Sequence, residues 1–191
     1  EEIRRYEPFN EQEREDKKEI LRQMEQADHI LTRDNRNAHI TVSAWIMDRD
    51  RKKVLMAYHN LYQSWAWLGG HADGDADLKA VALKEIREES GLESVRFVTE
   101  DIFSLEILTV DGHEKRGSYV PSHLHLNVTY LLEADPELPL RIKEDENSEI
   151  GWIGVEEIER RSTEKWFVER IYSKLCKKAQ SLRNGKLAIL E

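Results

Sequence analysis

The chain has 191 residues, enough for one well-buried domain with length to spare for terminal additions. Its 35% charged residues and formal net charge of −9 disfavour attraction to a phosphate backbone, so a nucleic-acid partner is not expected. Cys176 is the only cysteine, which excludes an intrachain disulfide; no apolar run reaches the roughly 18 residues of a membrane span, and the start EEIRRYEPFNEQ lacks both parts of a signal peptide, so a cytoplasmic location without a membrane partner is expected.

Residues 10–31 read as a helix, with Asn10 and Glu13 as a capping box and Ile20, Leu21, Met24, Ala27, Ile30 and Leu31 at helical spacing. Residues 1–37 thus form an N-terminal helical extension ahead of a domain spanning 38–191. The extension can dock on its own domain or on a second copy in a homodimer, and the pattern alone does not choose.

From His39 the periodicity turns to strands: HITVSAWIM, then KVLMAYH after a charged turn, then SWAWLGG. Trp65 and Trp67 share one strand face, and Trp45 sits in a neighbouring strand. Tryptophans mostly pack in cores, but an aromatic face also stacks on nucleobases, and Trp45 is the candidate for that role.

The segment 69–92 sets a helix behind a glycine-rich turn. At about 100° per residue, Glu89 falls near +40° and Glu88 near −60° from Glu85, so the three carboxylates share one sector of the helix. Leu78, Val81, Ala82 and Ile86 occupy the same side, so Glu85 and Glu89 interrupt a buried stripe. Like charges there raise one another's pKa and destabilise the fold unless a cation sits between them. Hard oxygen donors suit Mg²⁺, with Mn²⁺ as the alternative.

Further strands are expected at 94–98, 102–110, 119–133 and 149–155, with ADPELPLRIKEDENSE as a loop carrying one short strand at most. Within SHLHLNVTY, strict alternation puts His123, His125, Asn127 and Thr129 on one face. That face is either half-solvated or lines a substrate cavity where His123 and His125 bind phosphate or base. HLH alone offers two zinc ligands and no third or fourth is evident nearby, so no zinc site is expected. His71 directly follows Gly70 and is a candidate for the cavity mouth. A last helix covers 164–182, with Trp166, Phe167, Ile171, Leu175, Cys176 and Ala179 at its spacing. Strands, an inserted helix, more strands and a terminal helix make an α+β domain.

The segment GGHADGDADLKAVALKEIREESGL resembles the Nudix box, G-x5-E-x7-R-E-U-x-E-E-x-G-U with U a bulky aliphatic. Gly70, Glu85, Ile86, Glu88, Glu89, Gly91 and Leu92 match, while Ala76 stands in place of the pattern's Glu and Lys84 in place of its Arg. In the family that Glu and Arg pair to hold the metal ligands; Asp75 or Asp77 with Lys84 could substitute, with looser support because Lys lacks the bidentate fork.

The resemblance implies a Nudix-type α/β/α sandwich with a mixed sheet, plus the N-terminal helical extension. It implies a Mg²⁺ ion held by Glu85, Glu88, Glu89 and the Gly69 carbonyl, and hydrolysis of a nucleoside diphosphate linked to another moiety. Glu88 is one candidate general base. Glu146 is another, because KEDENSEIGWI resembles the family's late acidic loop before a Trp-bearing strand; Glu144 and Glu149 are its rivals. The departures at Ala76 and Lys84 keep open a nucleotide-binding or regulatory module with weak or no hydrolysis. An isoprenoid diphosphate isomerase of the same superfamily needs an active-site cysteine, and Cys176 lies far down the chain.

Overall fold

A computed structural model describes residues 1–115 and 117–183. Its organising element is β1 (Ala38–Met47), which is buried along its whole length. Successive side chains of a strand point to opposite faces, so β1 serves two environments. Ala38, Ile40, Val42, Ala44 and Ile46 enter one core, while Trp45 and Met47 enter a second. The remaining odd positions, His39, Thr41 and Ser43, face a cavity.

Strand β9 (His123–Glu133) runs parallel to β1, in a register that sets His39 beside His125, Thr41 beside Asn127 and Ser43 beside Thr129. Parallel pairs need cover on both faces, and helices supply it. α3 (Leu78–Ser90) packs Val81, Ala82 and Ile86 onto the first core. On the other face, the short helix α4 (Ile158–Arg161) and a π-helical turn Phe167–Tyr172 lead to α5 (Ser173–Arg183), which buries Leu175 and Ala179 near Trp45 and Met47. This is the layered α+β sandwich that the sequence implies.

The other strands are β2 (Lys53–His59), β3 (Ser64–Ala66), β4 (Leu68–His71), β5 (Arg96–Phe97), β6 (Ser104–Val110), β7 (His113–Lys115), β8 (Ser118–Val120) and β10 (Asn147–Gly154). The main path of the mixed eight-stranded sheet is β10-β2-β1-β9-β5, with β3 on β2, β4 on β1 and β6 on β9; β7 and β8 form a separate hairpin. β4 pairs with the middle of β1 and β2 meets only its end, so the sheet forks and opens the cavity beside β4. The acidic stretch 134–146 is irregular, and β10 begins at Asn147. The last residues of the expected domain, 184–191, lie outside the described residues.

Two short helices build the extension, α1 (Glu2–Arg5) and α2 (Glu11–Gln26). Asn10 Oδ1 accepts from the Glu13 amide at 2.9 Å, which starts α2 as the sequence implies. The helix stops at Gln26 rather than at 31. Ala27 turns extended and His29 takes a left-handed φ of 56°, and Ile30 instead accepts a backbone hydrogen bond from Ile40. Ile30 and Leu31 still pack on the first core.

The extension docks on its own chain. Glu13, fully buried, accepts from Tyr6 Oη at 2.5 Å, from the Phe9 amide at 2.7 Å and from Ser104 Oγ at 2.6 Å. It also pairs with Lys174 at 3.1 Å and Lys178 at 3.5 Å, and Lys174 reaches Glu106 at 2.9 Å. Asn127 Nδ2 donates to Glu106 at 3.1 Å, while its Oδ1 accepts from Thr41 and Ser43 at 3.0 Å each. Two acids and two lysines thus link α2 and α5 to the polar face of β1 and β9.

Candidate active site

Local signals fix α3 at both ends. Asp77 Oδ1 accepts from the Ala80 amide at 3.1 Å, and Gly91 closes the helix with φ 70°, a left-handed cap that glycine adopts without strain. The helix therefore presents its carboxylates as the wheel arithmetic requires. Glu85 and Glu89 are buried, with 8% and 6% of their surface exposed, while Glu88 stands at the mouth.

Burial pushes the Glu85 carboxyl up, and neighbouring Glu88 and Glu146 add to it. Glu89 is pushed up to about 8, first by burial, then by Glu85 and Glu146, against the opposing pull of Lys143 and the Gly69 amide. Two desolvated carboxyls a turn apart are a site in want of positive charge.

Gly69 and Gly70 lie within β4 rather than in a turn, paired with Ser43 and Val42 of β1. Their smallness is needed for close approach. A Cβ on Gly70 would stand 2.4 Å from the Glu85 carboxyl carbon, and one on Gly69 would stand 2.2 Å from the Val42 carbonyl oxygen. The glycines thus let a strand edge abut the acidic helix face.

The expected pairing of Asp75 or Asp77 with Lys84 is not formed. Asp75 accepts from the Asp77 amide at 2.9 Å and Asp77 caps α3, so both carboxylates serve the backbone. Lys84 turns instead to Glu85 at 3.6 Å and Glu88 at 3.8 Å. From the acidic loop, Lys143 reaches Glu146 at 3.0 Å and Glu88 at 3.8 Å. Of the three late-loop candidates, only Glu146 lines the cavity; Glu144 and Glu149 face solvent.

The cavity holds about 740 Å³ and joins this acidic wall to Gly69, Gly70, His71, His123, His125 and Asn127. Arg33, Arg36 and Lys143 add cations to its lining. Its histidines form one cluster. Ring centroids of His39 lie 5.1 Å from His71, 5.0 Å from His123 and 5.1 Å from His125, and His123 Nε2 stands 3.2 Å from His125 Nε2. Burial drives the His125 pKa down to about 2, with its neighbouring rings adding to the shift, so this ring is neutral.

Trp45 does not reach the cavity. It is 0% exposed and stacked on Tyr172, with centroids 5.4 Å apart, because the odd face of β1 passes under the C-terminal helix after Ser43. Stacking on a base is excluded for it. Trp67 and Tyr62 line the cavity instead. Cys176 lies outside the cavity lining, its thiol pushed up to about 12 by burial, which removes the proton-transfer cysteine that an isomerase needs.

Sequence reasoning also passed over His39. Its signal was available: His39, Thr41 and Ser43 alternate in HITVS just as His125, Asn127 and Thr129 do in HLHLNVT, and two such polar faces in register make one polar wall.

Solved structures share this fold at low identity. The chain is similar to a C. elegans Ap4A hydrolase binary complex at 18% identity and TM-score 0.53, covering 77% of this chain and 98% of that one. It is similar to a Clostridium perfringens NUDIX-family hydrolase at 19% identity and TM-score 0.51, covering 76% and 99%. It is also similar to the E. coli dihydroneopterin triphosphate pyrophosphohydrolase at 13% and 0.51, covering 71% and 95%. No curated protein matches. The family model described as NUDIX domain matches residues 37–175, which span β1, the glycine-backed acidic helix and the start of α5, and the chain accordingly belongs to the Nudix hydrolase family.

Proposed function

We propose that the protein is a Mg²⁺-dependent pyrophosphohydrolase, with Mn²⁺ as an alternative ion, that cleaves a nucleoside diphosphate linked to another moiety. The observation that carries the proposal is the pair of buried carboxyls, Glu85 and Glu89, held against glycine strand β4 with their pKa values raised. An all-oxygen, anionic donor set of this kind fits a hard divalent cation. Glu85, Glu88, Glu89 and the Gly69 carbonyl would hold it. When bound, the ion neutralises diphosphate charge and acidifies a bound water.

The chain's own residues supply the rest. Lys143 orients Glu146, whose carboxylate takes a proton from the attacking water; Glu88, at the mouth, is the second candidate for that step. The water oxygen bonds to phosphorus, the anhydride P–O bond breaks, and the leaving phosphate departs. Arg33, Arg36 and the wall of His71, His123 and His125 receive the remaining phosphate and sugar, and Trp67 or Tyr62 flanks the base. Neighbours of this fold include an Ap4A hydrolase and a NUDIX domain with ADP ribose, which supports a substrate from the broad class of nucleotide derivatives. The lone cysteine suits a cytoplasmic location.

The test is a product assay. ADP-ribose, a nucleotide sugar, a dinucleoside polyphosphate and an oxidised nucleoside triphosphate are offered with Mg²⁺ and with Mn²⁺. At least one is expected to release phosphate or nucleoside monophosphate, and Glu88→Gln is expected to slow that release by orders of magnitude. Unchanged turnover in the variant overturns the catalytic reading. A second reading is favoured by the ion pairs of Lys84 and Lys143, which already place positive charge against these acids. On that reading the domain binds a nucleotide without cleaving it, and calorimetry would find tight binding with no product.

Gly70→Ala tests the close approach of β4. The added methyl must move the Glu85 carboxylate by on the order of 1 Å, a displacement that can cost about a hundredfold in turnover. Circular dichroism is expected to show an intact fold beside that loss in kcat/KM.

A further inference from the structure

The histidine wall proposed to receive phosphate and sugar also brings its ring nitrogens together. His39 from β1, His71 from β4 and His125 from β9 each offer one ring nitrogen, and the three atoms lie within 4.8 Å of one another. His123 joins them through its Nε2, 3.2 Å from that of His125. In the sequence only the HLH pair is visible; strand register supplies the others, pairing His39 with His125 and placing His71 opposite Thr41, two positions along β1.

Two of the nitrogens that face away from the cluster have carbonyl partners. A backbone carbonyl can only accept, so His39 Nδ1 donates its proton to the Asn35 carbonyl at 3.0 Å, and His123 Nδ1 donates to that of Pro121 at 2.9 Å. In the neutral tautomers this leaves Nε2 of each ring as a lone pair. The orientation of a ligating imidazole is commonly fixed in this way, by a carbonyl accepting from its other nitrogen. His39 Nε2 is buried and has no hydrogen-bond partner among the described residues, in a side chain whose residue is only 4% exposed. A buried acceptor without a donor costs free energy, and rings this close cannot all be protonated.

We propose that His39, His71 and His125 form a second metal site, distinct from the carboxylate site, for a first-row transition ion such as Zn²⁺. Neutral imidazoles select Zn²⁺, Ni²⁺ or Cu²⁺ and disfavour Mg²⁺, so the two walls of the cavity sort ions by ligand chemistry. In a tetrahedral site, nitrogen donors at Zn–N distances of 2.0–2.1 Å stand about 3.3 Å apart, so a modest inward turn of the rings completes the set. His123 is the fourth donor, or it yields that position to a water or a phosphate oxygen in the cavity. Three histidines with an exchangeable fourth position are the pattern of an open zinc site. Neither the family pattern nor the acidic helix predicts it.

The experiment reads metal binding rather than turnover. The protein is stripped with chelator and titrated with Co²⁺ and then Zn²⁺ in excess Mg²⁺. One equivalent of Co²⁺ is expected to give the visible absorption of a four-coordinate nitrogen site, and Zn²⁺ is expected to bleach it. His39→Asn and His125→Asn should each weaken Zn²⁺ binding by more than about a hundredfold, since loss of merely an outer partner of a ligand costs about 10–100-fold. Thermal unfolding of the stripped variants shows that they fold. The double variant Glu85→Gln with Glu89→Gln should retain the Co²⁺ spectrum, which separates this site from the hydrolytic one. Absence of binding in excess Mg²⁺, binding that survives both histidine changes in folded protein, or loss in the double glutamine variant each overturns the proposal.

Discussion

Glu89→Gln is expected to lower kcat/KM by more than about a hundredfold while making the metal-free protein more stable at alkaline pH. The first effect follows from removing a charged oxygen donor, a larger change than the loss of an outer partner, which costs about 10–100-fold. The second follows from the environment that makes Glu89 useful. Its carboxyl is held up to about 8 against an ordinary value of 4.5. A carboxyl whose folded pKa is raised favours the native state below its unfolded value, and that advantage is lost as pH rises from 4.5 to about 8. The wild-type protein in chelator should therefore lose stability across that window and then level off. Glutamine carries no charge to desolvate, so the variant should show a flatter profile. Urea unfolding at the two ends of the window, beside turnover with saturating Mg²⁺, checks both halves. A variant that keeps full activity, or one with the wild-type pH slope, contradicts the assignment.

Glu13→Ala is expected to cost about 3–5 kcal/mol of stability, although Glu13 lies outside the residues matched to the family domain. The side chain is 0% exposed and is the common partner of Lys174 and Lys178. Its removal takes away the carboxylate paired with Lys178 and one of the two paired with Lys174, and it deprives the Tyr6 hydroxyl of one hydrogen bond and the Phe9 amide of its acceptor. Burial by itself would raise the Glu13 pKa, but Lys174, Lys178 and the hydrogen bonds outweigh it and hold the value below 4.5. A depressed carboxylate contributes stability above its unfolded pKa and loses it as pH falls through the folded one. The gap between wild type and variant should therefore be full near neutrality and should close below 4.5. Denaturant unfolding at neutral and acid pH measures it, and a neutral cost below about 1 kcal/mol, the scale of a surface pair, would show that the extension is only loosely attached.

What could be read from the chain depended on how local the controlling interactions are. α3 was legible because its periodicity and its acids lie within one run of 13 residues, Leu78 to Ser90, whereas its cap Asp77 reads in the sequence as a partner for Lys84. The polar face of β9 was legible because alternation is a property of one strand. Trp45 was misplaced because β1 is covered on both sides, and two-sided burial erases the alternation that tells a cavity residue from a core one. Gly69 and Gly70 read as a turn because glycine marks turns, whereas here the side chain of Glu85 and the backbone of β1 leave no space for a Cβ. The reach of Lys143 from the acidic loop to Glu88 and the docking of α2 on Lys174 join chain segments far apart in sequence, so no local pattern announces them.

The parallel pairing of β1 with β9 has a consequence for how the protein comes to exist. Thr41 and Asn127 touch across 86 residues of chain, and the lysines that neutralise the acids behind them arrive only with the last helix. Contacts of such long sequence separation form late, because the entropy of closing the loop must be overcome before they contribute. During synthesis the acidic helix emerges well before its opposite wall, so the amino-terminal two thirds of the chain must wait, with strand edges exposed, for the ribosome to deliver the remainder.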